Sequence, residues 1–140
     1  MDDLVEFLRA RYDEDAEAAR KAAEGHGGTP AWRPEVLADP DYPAQPVLHI
    51  GDRTILAGLP GDEDPFRADE LVHIARHDPA RILREIDAKR RALDHYEEFR
   101  GFAKGGTAPF RLAAGAVAMQ IQIMALPYGD HPDYREDWRP

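Results

Sequence analysis

The residues of this 140-residue chain best placed to do chemistry are two histidines four positions apart, His73 and His77. On a continuous helix such a pair projects both imidazoles from one face, the arrangement by which helices ligate zinc. The metalloprotease form of that motif needs a Glu directly after the first His, and Ile74 stands there. Glu70 and His73 give the Glu-x-x-His spacing of carboxylate-bridged di-metal bundles, which need two such motifs where the chain has one. A metal-binding protein or metal-dependent hydrolase built on His73 and His77 would draw further ligands from afar, from His49, His95, His131 or Asp133. The structural alternative is the expectation: His77 satisfies the last carbonyls of its helix, His73 packs or faces solvent, and no cofactor is bound. A divalent metal is the cofactor of the other reading.

Arg76, Arg81 and Arg84 form the second constellation. Asp78-Pro79 begins a helix, and helix N-termini with nearby guanidinium groups favour phosphate or carboxylate, so anion or nucleotide binding is a further alternative. Against it, Asp78 would itself occupy that N-terminus, and Glu85, Asp87, Asp94 and Glu98 flank the arginines, which suits a solvated, salt-bridged face. Lys104-Gly105-Gly106-Thr107 reverses the order of a phosphate-binding loop and follows no strand. Carboxylates are too numerous for a general acid and base to be located among them.

The elements that must position these residues follow from pattern. Leu4, Val5, Leu8, Tyr12, Ala16, Ala19 and Ala23 form one stripe at helical spacing and predict a helix over 2–24, ended by Gly25-His26-Gly27-Gly28. The Pro-rich stretch that follows reads as loop over 25–46, with Trp32 capping a small core. Val47-Leu48-His49-Ile50 and the run from Arg53 flank Gly51-Asp52, predicting a β-hairpin over 47–50 and 53–58, and 59–66 reads as a second loop. A short helix over 68–76 is interrupted at Asp78-Pro79, an N-cap and first-turn proline that start a new helix over 79–99. Its apolar stripe is Pro79, Ile82, Leu83, Ile86, Leu93 and Tyr96, with Arg81, Arg84, Arg91 and His95 outward. A third main helix over 110–126 is apolar on nearly all sides, with Val117, Ile121 and Met124 on one flank and Leu112, Met119 and Ile123 on another. Such a helix is central or lies in an oligomer interface, and it reads as too short to cross a bilayer. The sum is an α+β fold of three main helices, a short helix and a small hairpin, in a single domain over 1–140.

Composition narrows the function classes. There is no Cys, Ser or Asn in the sequence, which removes disulfides, thiolate metal sites and the commonest nucleophiles. The net charge of −9 makes generic duplex DNA an unsuitable partner. Nothing resembles a cleavable leader at the acidic N-terminus, so the protein is expected in the cytoplasm, without a membrane.

The tail over 127–140 mixes aromatics with acids, and Tyr128, Tyr134 and Trp138 are costly to leave in water. It is expected to dock across its own helices, with docking on a partner as the alternative. In that alternative Phe7, which lies off the stripe of its helix, joins Tyr134 and Trp138 as partner-binding residues. HIARHDPARILREIDAKRR (73–91), YGDHPDYREDWRP (128–140) and DDLVEFLRARYDEDAEAAR (2–20) together resemble an actinobacterial family of small uncharacterised proteins. GGTPAWRP (27–34) is similar to a Thr-Pro-Gly-Pro-Trp element of that family, with Ala31 replacing its glycine-proline step. The resemblance implies no reaction, cofactor or partner. The expectation is therefore a soluble, non-catalytic binding or assembly protein that acts by helix-mediated association with itself or a partner.

Overall fold

All seven residues of the first predicted stripe, Leu4, Val5, Leu8, Tyr12, Ala16, Ala19 and Ala23, are at most 7% exposed along helix α1 (Asp2–Glu24). Asp2 and Asp3 sit in its first turn, where the helix dipole favours negative charge. The computed structural model describes residues 1–25, 27–51, 53–56 and 67–140 and has an α+β architecture. Strands β1 (Trp32–Asp39), β2 (Tyr42–Ile50) and β3 (Arg53–Leu56) follow α1. Helices α2 (Ala68–Arg76), α3 (Pro79–Ala103) and α4 (Ala108–Ala125) come next, then 3-10 turns at Leu126–Tyr128 and Glu136–Trp138. Two compact units divide the chain, one made of Met1–Asp15 and Ile86–Pro140, the other of Ala16–Glu85.

In the Ala16–Glu85 unit the sheet is antiparallel in the order β1-β2-β3. The hairpin predicted at Gly51-Asp52 is present: Ile50 pairs with Arg53, and Gly51 has φ +61°, a value glycine takes without steric cost. Positions 57 and 58 of that hairpin and the 59–66 loop lie outside the described residues. Leu48 and Ile50, two apart and so on one face of β2, pack with Leu71 and Ala75 of α2, and Trp32 and Ile74 close over them. Trp32 thus caps a small core.

The expectation of loop over 25–46 is corrected, because β1 and the first half of β2 fill most of it. Prolines argue against a strand where the missing N–H breaks a ladder on both sides. Here Pro34 lies on edge strand β1, and Pro46 precedes the described β3 ladder, which starts at Val47.

In the other unit α3 runs through Gly101 to Ala103, four residues past the predicted end. Ala103 is buried, and Phe99 meets Phe110 at 6.4 Å between ring centroids. That packing offsets the roughly 1 kcal/mol cost of a helical glycine. The turn into α4 needs Gly106, since a Cβ there would lie 2.9 Å from the Phe110 Cβ. Of α4 itself only Ile121 and Ala125 are buried, so the sequence reading of a central helix is corrected. Together with its 3-10 extension the segment Ala108–Tyr128 has 21 residues. It is long and apolar enough, by length and composition alone, to cross a membrane, which corrects the judgement that it is too short.

Candidate functional site

The histidine pair sits where α2 ends. His73 and His77 are both exposed, with ring centroids 4.4 Å apart. The His77 Nδ1 lies 3.0 Å from the His73 carbonyl oxygen, and the His77 backbone N–H donates to His73 and Ile74 carbonyls at 3.3 and 3.1 Å. His77 therefore closes its own helix, as the structural reading anticipates. Among the described residues no group of three or more His, Asp or Glu stands close enough to hold a metal ion. His49, offered as a distant ligand, is instead paired with Glu35 at 2.7 Å and Thr54 at 3.1 Å.

At the start of α3 the free donors of a helix N-terminus are already engaged. The Arg81 backbone N–H donates to the Asp78 carboxylate at 2.7 Å, and the Ala80 N–H donates to the Pro30 carbonyl at 2.9 Å. Asp78 also accepts from the Trp32 N–H at 3.2 Å, so one carboxylate caps the helix and holds the start of β1. Arg81 spends its guanidinium on Glu85 at 2.6 Å and on the Arg76 carbonyl at 3.0 Å. Arg76 and Arg84 are exposed. The three arginines lie near one corner, but its helix terminus offers an anion few unused N–H groups.

The aromatic tail docks on its own chain. Phe7 and Trp138 are both 7% exposed, with ring centroids 5.0 Å apart, and Tyr134 stands 6.1 Å from Phe7 and 5.8 Å from Trp138. Arg135 ties the tail to α1 through Asp3 at 3.0 Å and lies over the Trp138 ring. Phe7, Tyr134 and Trp138 thus form the seam that fastens the tail, and packing them together removes apolar area from water. Pattern reading missed Arg11, which is 8% exposed beneath this seam. Its Nη2 pairs with Glu14 at 2.6 Å, its Nη1 lies 2.9 Å from the His131 Nδ1, and its guanidinium stacks 5.2 Å from the Phe7 centroid. Nearby, Tyr128 donates to Asp15 at 2.6 Å, and burial followed by that bond raises the Tyr128 pKa above its ordinary value.

The surface left over is the outer face of α4. Leu112 is 79% exposed, Met119 52%, Ile123 41% and Leu126 43%, and Ala116 is exposed between them. From Leu112 to Gly129 no residue is charged, in a chain that is 32% charged. Phe110 and Phe102 extend the apolar surface toward the α3–α4 corner. A second, smaller apolar feature lies in the sheet unit, a cleft of about 180 Å³ lined by Pro34, Val36, Pro46, Val47, Leu71 and Val72. Among the described residues its lining holds one ionisable side chain, Glu35, and no histidine.

Neither a curated protein nor a solved structure matches the chain. A family model does, over residues 1–140. The helices, the docked tail and the exposed α4 face are therefore those of a member of the family of unknown function DUF6221, to which this chain belongs.

Proposed function

We propose that the protein is a non-catalytic association module whose working surface is the outer face of α4. The observation that carries this reading is that face itself: large apolar side chains left in water along an uncharged stretch of one helix. Each of Leu112, Met119, Ile123 and Leu126 gains on the order of 1 kcal/mol or more when its exposed area is covered. Contiguous apolar surface of this kind marks interaction sites. The absence of Ser and Cys from the sequence agrees with a binding rather than a catalytic role. The reading places the protein in the cytoplasm, with no divalent metal needed for the interaction and no part for duplex DNA.

The test is light scattering on the purified chain, beside a Leu112→Glu/Met119→Glu variant and binding of an apolar-surface dye. The expected result is an assembled parent or one that binds dye strongly, with both properties lost in a variant of unchanged circular dichroism. A parent that is strictly monomeric and binds no dye would end the proposal.

A further inference from the structure

Six exposed residues of α4 and of the 3-10 turn after it are spaced as a coiled-coil seam. Pro109, Leu112, Ala116, Met119, Ile123 and Leu126 are separated by alternating steps of three and four, and all six are exposed. The same helix turns Ala114, Ala118, Ile121 and Ala125 the other way, and of these Ile121 and Ala125 are buried against the chain's own core. One helix therefore carries two opposed seams, the inner one buried at Ile121 and Ala125 and half-buried at Ala114 and Ala118, the outer one exposed throughout. Alternating three-four spacing is the pattern by which one helix inserts side chains between those of another.

We infer that the occupant of the outer seam is a second copy of this chain, packed antiparallel along α4; this rests on the association reading above and names its partner. Charge decides both partner and direction. The positions flanking the seam are Ala113, Gly115, Gln120 and Gln122, so nothing charged is buried when an identical uncharged seam covers it. The two ends of the segment differ: Lys104 and Arg111 are exposed before and at its start, and Asp130 is exposed just past its end. An antiparallel pair sets the basic end of each copy beside the acidic end of the other and opposes the two helix dipoles, whereas a parallel pair stacks like on like. A bilayer is the poorer match, because the tail past the helix is acidic, the chain carries a net charge of −9, and the basic residues at its start fall short of the roughly four or more that bind an anionic lipid surface.

The antiparallel seam has one symmetric register that uses its full length. Leu112 meets Ile123 of the second copy, Pro109 meets Leu126, and at the two-fold axis Ala116 meets Met119, a small side chain against a long flexible one. The contact is isologous, so every pair occurs twice.

The chain contains no cysteine, so introduced thiols report on this register without background. Leu112→Cys and Ile123→Cys proteins are oxidised separately and as an equimolar mixture, then run on non-reducing gels. In the proposed pair of Leu112→Cys chains the two thiols are about 16 Å apart along the axis, beyond the roughly 7 Å Cα separation that a disulfide tolerates. The expected result is a covalent dimer in the mixture and little in either protein alone. The unaltered chain is expected to sediment at twice 15.7 kDa. Leu112→Glu is expected to raise the dimer dissociation constant by about 10- to 100-fold. Cross-linking of either single variant alone would overturn the proposal in favour of a parallel pair, and flotation with neutral vesicles in favour of a bilayer. A monomeric parent whose dye binding is abolished by Leu112→Glu overturns the self-pairing while the association surface stands; a monomeric parent that binds no dye overturns both.

Discussion

Tyr12→Phe is expected to leave the protein as stable as the parent or more so at neutral pH, and to remove part of its sensitivity to alkali. Tyr12 is 0% exposed, and its hydroxyl has no hydrogen-bond partner among the described residues. Burying an unpaired hydroxyl costs about 1–3 kcal/mol, against the small packing loss of one oxygen, so the neutral-pH change should lie between zero and about 1 kcal/mol stabilising. The ring stays, and with it the Lys89 ammonium 5.6 Å from the ring centroid. The same burial, helped by the nearby Asp15 carboxylate, pushes the Tyr12 hydroxyl up to about 12 from 10.0. A folded-state pKa raised above the unfolded value means the contribution is complete below pH 10 and is lost as pH rises from 10 through 12. The loss attributable to this group is about 1 kcal/mol at pH 11 and approaches about 3 kcal/mol above pH 12. Urea unfolding of parent and variant at pH 7 and pH 11 measures it, and the parent should lose more stability between the two pH values by about 1 kcal/mol. If the two proteins lose the same amount, Tyr12 does not carry the titration. If the variant is destabilised by more than about 1 kcal/mol at pH 7, the hydroxyl is bonded after all.

Asp78→Ala removes one acceptor from two N–H groups, those of Arg81 and Trp32, and should cost about 1–3 kcal/mol, read as a lowered melting temperature. Trp138→Ala should cost about 3–5 kcal/mol and free the segment after Pro127, seen as faster tail cleavage by trypsin after Arg135. Arg11→Met keeps the volume beneath the tail but loses the Glu14 pair and the ring contacts; it should destabilise by about 1–3 kcal/mol in urea unfolding, with little dependence on salt because the site is buried.

Helix periodicity was legible because each stripe is long: every predicted α1 stripe residue is buried, and Asp78 caps α3 where the Asp-Pro junction placed it. Strand β1 was not legible, since Trp-Arg-Pro-Glu carries a proline that only its position on a sheet edge makes acceptable. The apolar character of α4 was visible, and so was the grouping of Leu112, Met119 and Ile123 on one flank. Which flank faces solvent was not, because a helix apolar all round has no polar stripe to fix its rotation. Arg11 escaped notice for a related reason. A guanidinium beside Tyr12 looks like a surface group until the tail, more than a hundred residues later, folds over it.

The proline of β1 bears on solubility. In antiparallel pairing the N–H groups of alternate residues point away from the neighbouring strand. On β1 those are Trp32, Pro34 and Val36: Trp32 gives its N–H to Asp78, and Pro34 has none to give. The β1 edge of the sheet, one of its two edges beside β3, therefore offers a stray strand only an interrupted row of donors, which hinders strand addition there. Proline at one position of β1 thus does two things at once: it hid the strand from pattern reading, and it withholds a donor where a further strand would add.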